Sequence, residues 1–444
     1  MRIKATDYER KLFAILLAGF LLKLLYIAAV PYDISKHDLG SFTLTGFSDT
    51  DNGHLGLISY LYTFRYLPDF DPRLKYGFYN PPGFHILAAL WYGINRRLGF
   101  APLTCLENLQ ILTLVFVSVG ICVMVKILEE LFEKDRYLLY AAAFLSFFPF
   151  FIIFSGTLNN DALAFLCSMT AILYALRWYR EQSAKNIVLI AVSVGFGMFT
   201  KLNVGLLAFP IGFLFLYSLI KRRKEVGKQL LQFGLFGLIC VPLGLYWPLR
   251  NLIRFGMPLN YVPDPQSQRQ YVGSFGMLQR VGIPSRENLS SPFLSFNPGK
   301  EHNIWSQLMK TALFDEVPRP EGMPVFRVCA RLLFWLGLLG MVYCVVSWIR
   351  ILFSRNSMAP ERKAFFSILF VSMLLGYVPF CFSFPYICTM NFRYIIPLLL
   401  LPCLAWAGGI HTEGHPAVRR VQALGMLLNV CLFFLADIAL IIMK

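Results

Sequence analysis

Runs of apolar residues about as long as a bilayer-crossing helix recur from one end of the chain to the other. At 1.5 Å rise per residue, about 20 such residues span the hydrocarbon core. Repetition at this length restricts the chain to an all-α, polytopic membrane fold. Composition agrees: 57% of residues are hydrophobic, with 42 Phe, and the mean hydropathy is +0.58. The expected spans are 11–30, 107–128, 137–155, 162–179, 187–200, 203–220, 229–247, 328–349, 364–384, 394–410 and 420–442, about eleven in all. The pair 187–200 and 203–220 is the least distinct, because its first member is short.

The net charge of +16 belongs to membrane topology and not to a nucleic-acid partner. The basic residues fall in short loops between apolar runs: Arg2 to Lys11, Lys134 and Arg136, Arg177 to Lys185, Lys221 to Lys224, Arg350 to Lys363, and Arg419 with Arg420. All six groups share one side if the N-terminus is cytoplasmic, as the positive-inside rule requires. This topology needs the segment Phe84–Leu98 to lie along the outer surface as an amphipathic helix. The first run follows basic residues but has no A-x-A cleavage site, so it reads as a retained helix. The ten Cys are scattered without CxxC spacing, as small buried residues and not a disulfide or zinc framework.

The same topology gathers the polar stretches on the outer face. They are the first loop 31–106, SGTLNNDAL around Asp161, the turn Thr200-Lys201-Leu202, the long loop 248–327, and FPYICTMNFRY around Arg393. Three parts follow: an N-terminal catalytic module 1–247 that includes 31–106, the long outer loop 248–327, and C-terminal helices 328–444. The loop 248–327 shows no clear strand or helix pattern.

The first loop carries Asp33, Asp38, Asp49, Asp51, Asp69 and Asp71, with His37, His54 and Pro81-Pro82. An ionised carboxylate just outside a membrane can act as general base and turn a hydroxyl or amine into a competent nucleophile. Asp38, next to His37, and Asp33 are the candidates. A helix cap or a solvated loop residue is the plainer reading of any one Asp. Asp161 opens a span where Asn159 or Asn160 could cap the helix. Two carboxylates from separate loops, Asp38 and Asp161, could instead flank a reacting centre or hold a divalent cation. Lys201, Arg250 and Arg393 stand at outer helix ends, suited to gripping phosphate as charge develops on it, or to interfacial snorkelling. His54 could bond a sugar, bind a metal with Asp51 or support its loop. Tyr79 belongs at the interface, and with His37, His54 and Asn160 makes up the candidate substrate-binding set. The sequon at Asn288 carries little weight.

Taken in order, HDLG, GHLGLISYL, YNPPGFHILAAL, NNDAL, TKLN and YWPLRNLIRFG resemble the membrane glycosyltransferases of the GT-C fold, most of all bacterial relatives of protein O-mannosyltransferases and aminoarabinose transferases (glycosyltransferase family 39-like). The resemblance implies a polyprenyl-phosphate sugar donor and an early outer-loop Asp as base. That role falls on Asp38, with Asp33 as runner-up. It also implies a second acid at Asp161 and phosphate contacts at Lys201, Arg393 and Arg250. The chain departs from the family's commoner Asp-Glu pair in the first loop, having HDL instead. The expected setting is a bacterial inner or plasma membrane, with membrane lipids and a lipid-linked sugar as partners. A divalent cation is an open expectation. The competing readings are a transporter or flippase of lipid-linked glycans and a non-catalytic scaffold. A transporter predicts polar residues inside the spans, whereas here they gather at one face.

Overall fold

The structure is a computed structural model that describes residues 5–34, 52–355, 357–413 and 415–443. Among these residues the regular structure is helical, apart from one isolated antiparallel bridge between Tyr271 and Tyr386. Among the described residues nine helices are long and apolar enough to cross a membrane, and ten if Arg136–Ser146 and Pro149–Gly156, bent by 42°, form one span. The remaining expected run, 187–200, is the 15-residue helix Ala184–Met198. The segment expected on the surface is the helix Gly83–Arg97, which is not among the spans. Its Leu90 and Ile94 are exposed while Ala88, Ala89 and Tyr92 are buried. A membrane surface would cover that exposed apolar face.

The chain forms two compact units that interleave in sequence. One comprises Val30–Val123 and Phe154–Asp264, the other Met1–Ala29, Met124–Ile153 and Pro265–Lys444. The expected module 1–247 therefore contributes to both.

In the first of these units, helices Asp161–Arg180, Ala184–Met198, Ala208–Lys221 and Val226–Phe255 run back and forth. The Arg222 guanidinium donates to Tyr179 O at 2.8 Å, placing two basic turns at one end. Buried Gln110 donates to Val30 O at 3.2 Å and Gly156 O at 3.0 Å, satisfying carbonyls where helices stop. The helix expected to end at 247 continues to Phe255, through Pro242 and Pro248. A proline removes one intrahelical bond, but a long membrane helix tolerates that locally. Gly256 ends it with φ 62°, a backbone that favours glycine.

In the other unit, Phe144 packs against Trp406 and Phe433 with ring centroids 5.2 and 5.1 Å apart. A largely apolar cavity of about 560 Å³ is lined by residues that include Phe148, Leu308, Met309, Phe370, Trp406 and Phe433. The loop expected to lack pattern contains helices Met277–Val281, Pro298–Glu301 and Ile304–Phe314. They are short and held by tertiary contacts, which hides them from periodicity. One such contact is the fully buried ion pair between Glu301 and Lys310, at 2.8 Å. Another is Arg280, whose Nη2 donates to Cys381 O at 2.6 Å and caps the end of helix Pro360–Ser383. At the Lys134 end, Lys134 pairs with Glu9 at 2.6 Å and the Arg362 guanidinium donates to Glu130 O at 3.2 Å, so these basic turns also share an end. Seven of the ten Cys are buried, Cys388 is half-buried, and Cys122 and Cys431 are exposed.

Candidate functional site

The polar segments of the unit built from Val30–Val123 and Phe154–Asp264 come together through backbone contacts that only glycine permits. Gly53 (φ 73°) and Gly77 (φ 84°) cross so closely that a Cβ on Gly77 would lie 2.6 Å from Gly53 Cα. The Gly53 amide donates to Tyr76 O at 2.7 Å. Pro81 and Pro82 then turn the chain into helix Gly83–Arg97. The Gly83 amide donates to Phe199 O at 2.8 Å, and a Cβ there would meet Thr200 Oγ1 at 2.7 Å. The YNPPG stretch is thus seated directly on the Phe199-Thr200-Lys201 turn.

From the other side the NNDAL loop closes on the same turn. Asn160 Nδ2 donates to Thr200 O at 3.0 Å. Asn159 Oδ1 accepts from the Asp161 amide at 2.7 Å, so Asn159 bonds the first turn while Asn160 reaches outward. The Lys201 ammonium donates to Asp161 Oδ1. The Asp161 side chain is 2% exposed and that of Lys201 18%. The Asp161 carboxylate meets both the positive end of its own helix and the Lys201 ammonium. The pair fixes one cation, partly open to solvent, at a chosen spot.

The end of helix Val226–Phe255 covers the first loop. Trp247 Nε1 donates to Tyr79 O at 3.0 Å, and half-buried Tyr79 meets the Tyr261 ring at 6.1 Å. Arg250 lies over Trp247 at 4.9 Å and donates to Asn251 Oδ1 at 2.7 Å and to Pro68 O. Its guanidinium is engaged in clamping the loop. Arg254 pairs with Asp69 at 2.8 Å.

Beneath these contacts His54 and His85 stack with centroids 5.2 Å apart, and Nδ1 of His54 lies 2.9 Å from Nε2 of His85. One ring donates and the other accepts. Burial first, and the neighbouring His54 second, hold His85 well below the ordinary histidine range. The contact ties the helix Gly53–Phe64 to the helix Gly83–Arg97.

The structure therefore brings Asp161, Lys201 and Asn160 into one contact set, with Tyr79 and Arg250 tied to the adjoining first loop. Asp33 is half-buried beside Tyr32, whose amide donates to Glu107 at 3.1 Å. Asp38, His37 and Asp51 lie outside the described residues. Among the described residues no three His, Cys, Asp or Glu side chains gather as a metal site. Arg393 belongs to the other unit, 4% exposed, with Nη2 donating to Tyr394 Oη at 3.2 Å. Asn391 positions it, accepting from the Arg393 amide at 3.0 Å and donating to Asp315 Oδ1 at 2.8 Å. Sequence reasoning missed Gly83, Thr200 and His85. The first and last stood in the quoted NPPGFH motif, but their partners lie more than thirty residues away.

Residues 105–247 match the family model of dolichyl-phosphate-mannose-protein mannosyltransferases. That is about a third of the chain, and it holds both NNDAL and TKLN. Over this segment the resemblance read from the sequence is borne out. No curated protein matches the chain. Among solved structures, the chain is similar to the apo oligosaccharyltransferase of Archaeoglobus fulgidus at 14% identity and TM-score 0.47, covering 97% of this chain and 56% of that one. It is also similar to ArnT from Cupriavidus metallidurans bound to undecaprenyl phosphate, at 15% identity and TM-score 0.41, covering 98% of this chain and 78% of that one. The chain thus spans a little over half the length of the oligosaccharyltransferase.

Proposed function

We propose that the chain is an integral membrane glycosyltransferase of the GT-C kind, moving a sugar from a polyprenyl-phosphate donor to an acceptor on the extracytoplasmic face. The observation that carries this reading is the Asp161–Lys201 pair. It lies inside the matched segment, at the helix ends that the NPPG stretch also reaches.

In this mechanism an ionised outer-loop carboxylate, Asp38 or else Asp33, takes the proton of the acceptor hydroxyl or amine. The freed electron pair attacks the anomeric carbon, and the bond from that carbon to the phosphate oxygen breaks. Configuration inverts, and the polyprenyl phosphate leaves with the extra negative charge. Lys201, held by Asp161, stabilises that charge. Asp161 is thereby an orienting residue for Lys201. Arg250 keeps the first loop closed. A divalent cation would need Asp38 alongside Asp161, and would assist the same leaving group.

One observation favours transport instead. Asp437, within the span Pro416–Ile442, is fully buried, and neither carboxyl oxygen has a hydrogen-bond partner among the described residues. Intramembrane carboxyls of this kind mark ion pathways in transporters. Membranes carrying the protein or its Asp38→Asn variant, given labelled polyprenyl-phosphate sugars, separate the readings. Donor consumption by the wild type that disappears in the variant is the expected result. Equal consumption by both moves the base to Asp33. Flipping of labelled lipid by a wild type that consumes no donor would overturn the transferase reading.

A further inference from the structure

Four arginines of the unit that includes Pro265–Lys444 line two adjoining clefts. Arg286 and Arg331 wall one of about 690 Å³, together with Leu289, Ser290, Pro292 and Trp335. Arg319, Arg327 and Arg331 line the other beside Ser290 and Ser291. Among the described residues none of the four has a carboxylate within ion-pair distance, and no acidic side chain lines either cleft. The loop wall is braced from inside. Asn288 is fully buried, accepts from the Ser285 amide and hydroxyl at 2.9 Å each, and donates to Lys300 O at 3.2 Å. This also removes its side chain from use as a sequon.

The other wall is the start of the span Pro324–Phe353. Arg327, Arg331 and Trp335 recur every four residues and so form one stripe. That stripe lies in the first turns of this long apolar helix, and Trp335 is half exposed. Guanidinium groups followed by an aromatic one turn further along match an amphiphile with a phosphate head and a hydrocarbon tail. A free phosphate would make no use of Trp335.

We propose that this arginine-walled cleft binds the phosphate headgroup of an anionic membrane lipid, with the lipid chain lying beside Trp335. The proposal uses none of the residues placed in the transfer mechanism and does not rest on that reading.

The test uses the full chain in maltoside micelles, titrated separately with phosphatidylglycerol, phosphatidylcholine and inorganic phosphate, with bound lipid counted by native mass spectrometry. The wild type is expected to retain phosphatidylglycerol at least about tenfold better than phosphatidylcholine. Arg286→Gln with Arg331→Gln should weaken that retention about tenfold per arginine. Lys at both positions should fall between, keeping the charge without the bidentate fork. Among the described residues none of the four side chains makes a hydrogen bond or ion pair, so folding should be unaffected. If the double variant fails to purify, Arg331→Gln alone gives the same comparison. Equal retention by wild type and Gln variants would overturn the proposal. So would displacement of phosphatidylglycerol by equimolar inorganic phosphate, which would make the cleft a site for a free anion.

Discussion

Removing the Lys201 ammonium, as in Lys201→Met, leaves the Asp161 carboxylate facing an apolar neighbour with 2% of its side chain exposed. Breaking a buried pair from one side costs about 3–5 kcal/mol, because the remaining charge has lost its partner. Lys201 is itself 18% exposed, so water can approach the vacated position. That sets the expectation near the low end, about 3 kcal/mol, or roughly 150-fold in the folding equilibrium. The double variant Asp161→Asn with Lys201→Met removes both charges of the pair. It keeps the Asn160 bond to Thr200 O and the Asn159 bond to the amide of residue 161. It should recover to within about 1 kcal/mol of the wild type. Turnover of the polyprenyl-phosphate donor should recover in neither, since both lack the cation at the leaving phosphate. The assay pairs denaturant unfolding in detergent, followed by tryptophan fluorescence, with donor consumption. A single variant within about 0.5 kcal/mol of the wild type would refute the claim that the pair holds the two loops together. A double variant with full turnover would refute a catalytic use of the Lys201 charge.

Two further outcomes follow from the same geometry. Gly83→Ala places a Cβ 2.7 Å from Thr200 Oγ1 and 2.8 Å from Phe199 O, so the YNPPG stretch must lift off the Lys201 turn. Thermal unfolding should fall by several degrees and donor turnover should drop at least about tenfold, whereas an unchanged enzyme would mean the seat is not needed. For pH, the folded His85 binds its proton less readily than the unfolded one. Its contribution to stability is therefore complete above the unfolded value of about 6.5 and is lost as pH falls below it, by up to about 1.4 kcal/mol per unit. His85→Gln should flatten that acid limb in a stability–pH profile, and an unaltered limb would assign it to other groups.

The spans were legible in the residues because hydrophobic length is a local property. A run of apolar residues must be helical in a bilayer whatever it later packs against. The stretches carrying polar chemistry were legible for the same reason, since they interrupt those runs. The end of helix Val226–Phe255 was misplaced because Pro248 is a local stop signal that packing overrides. The short helices near Glu301 were invisible because a buried ion pair and a cap, and not periodicity, hold them. The use made of each polar side chain was decided only in three dimensions. Asp161 is answered by a lysine forty residues on, Arg250 is occupied by the Pro68 carbonyl 182 residues back, and Arg393 sits in the other compact unit. Nothing local distinguishes an arginine that clamps a loop from one left facing a cleft, as Arg331 is. That difference lies in which distant carbonyl or carboxylate the fold brings within hydrogen-bonding reach.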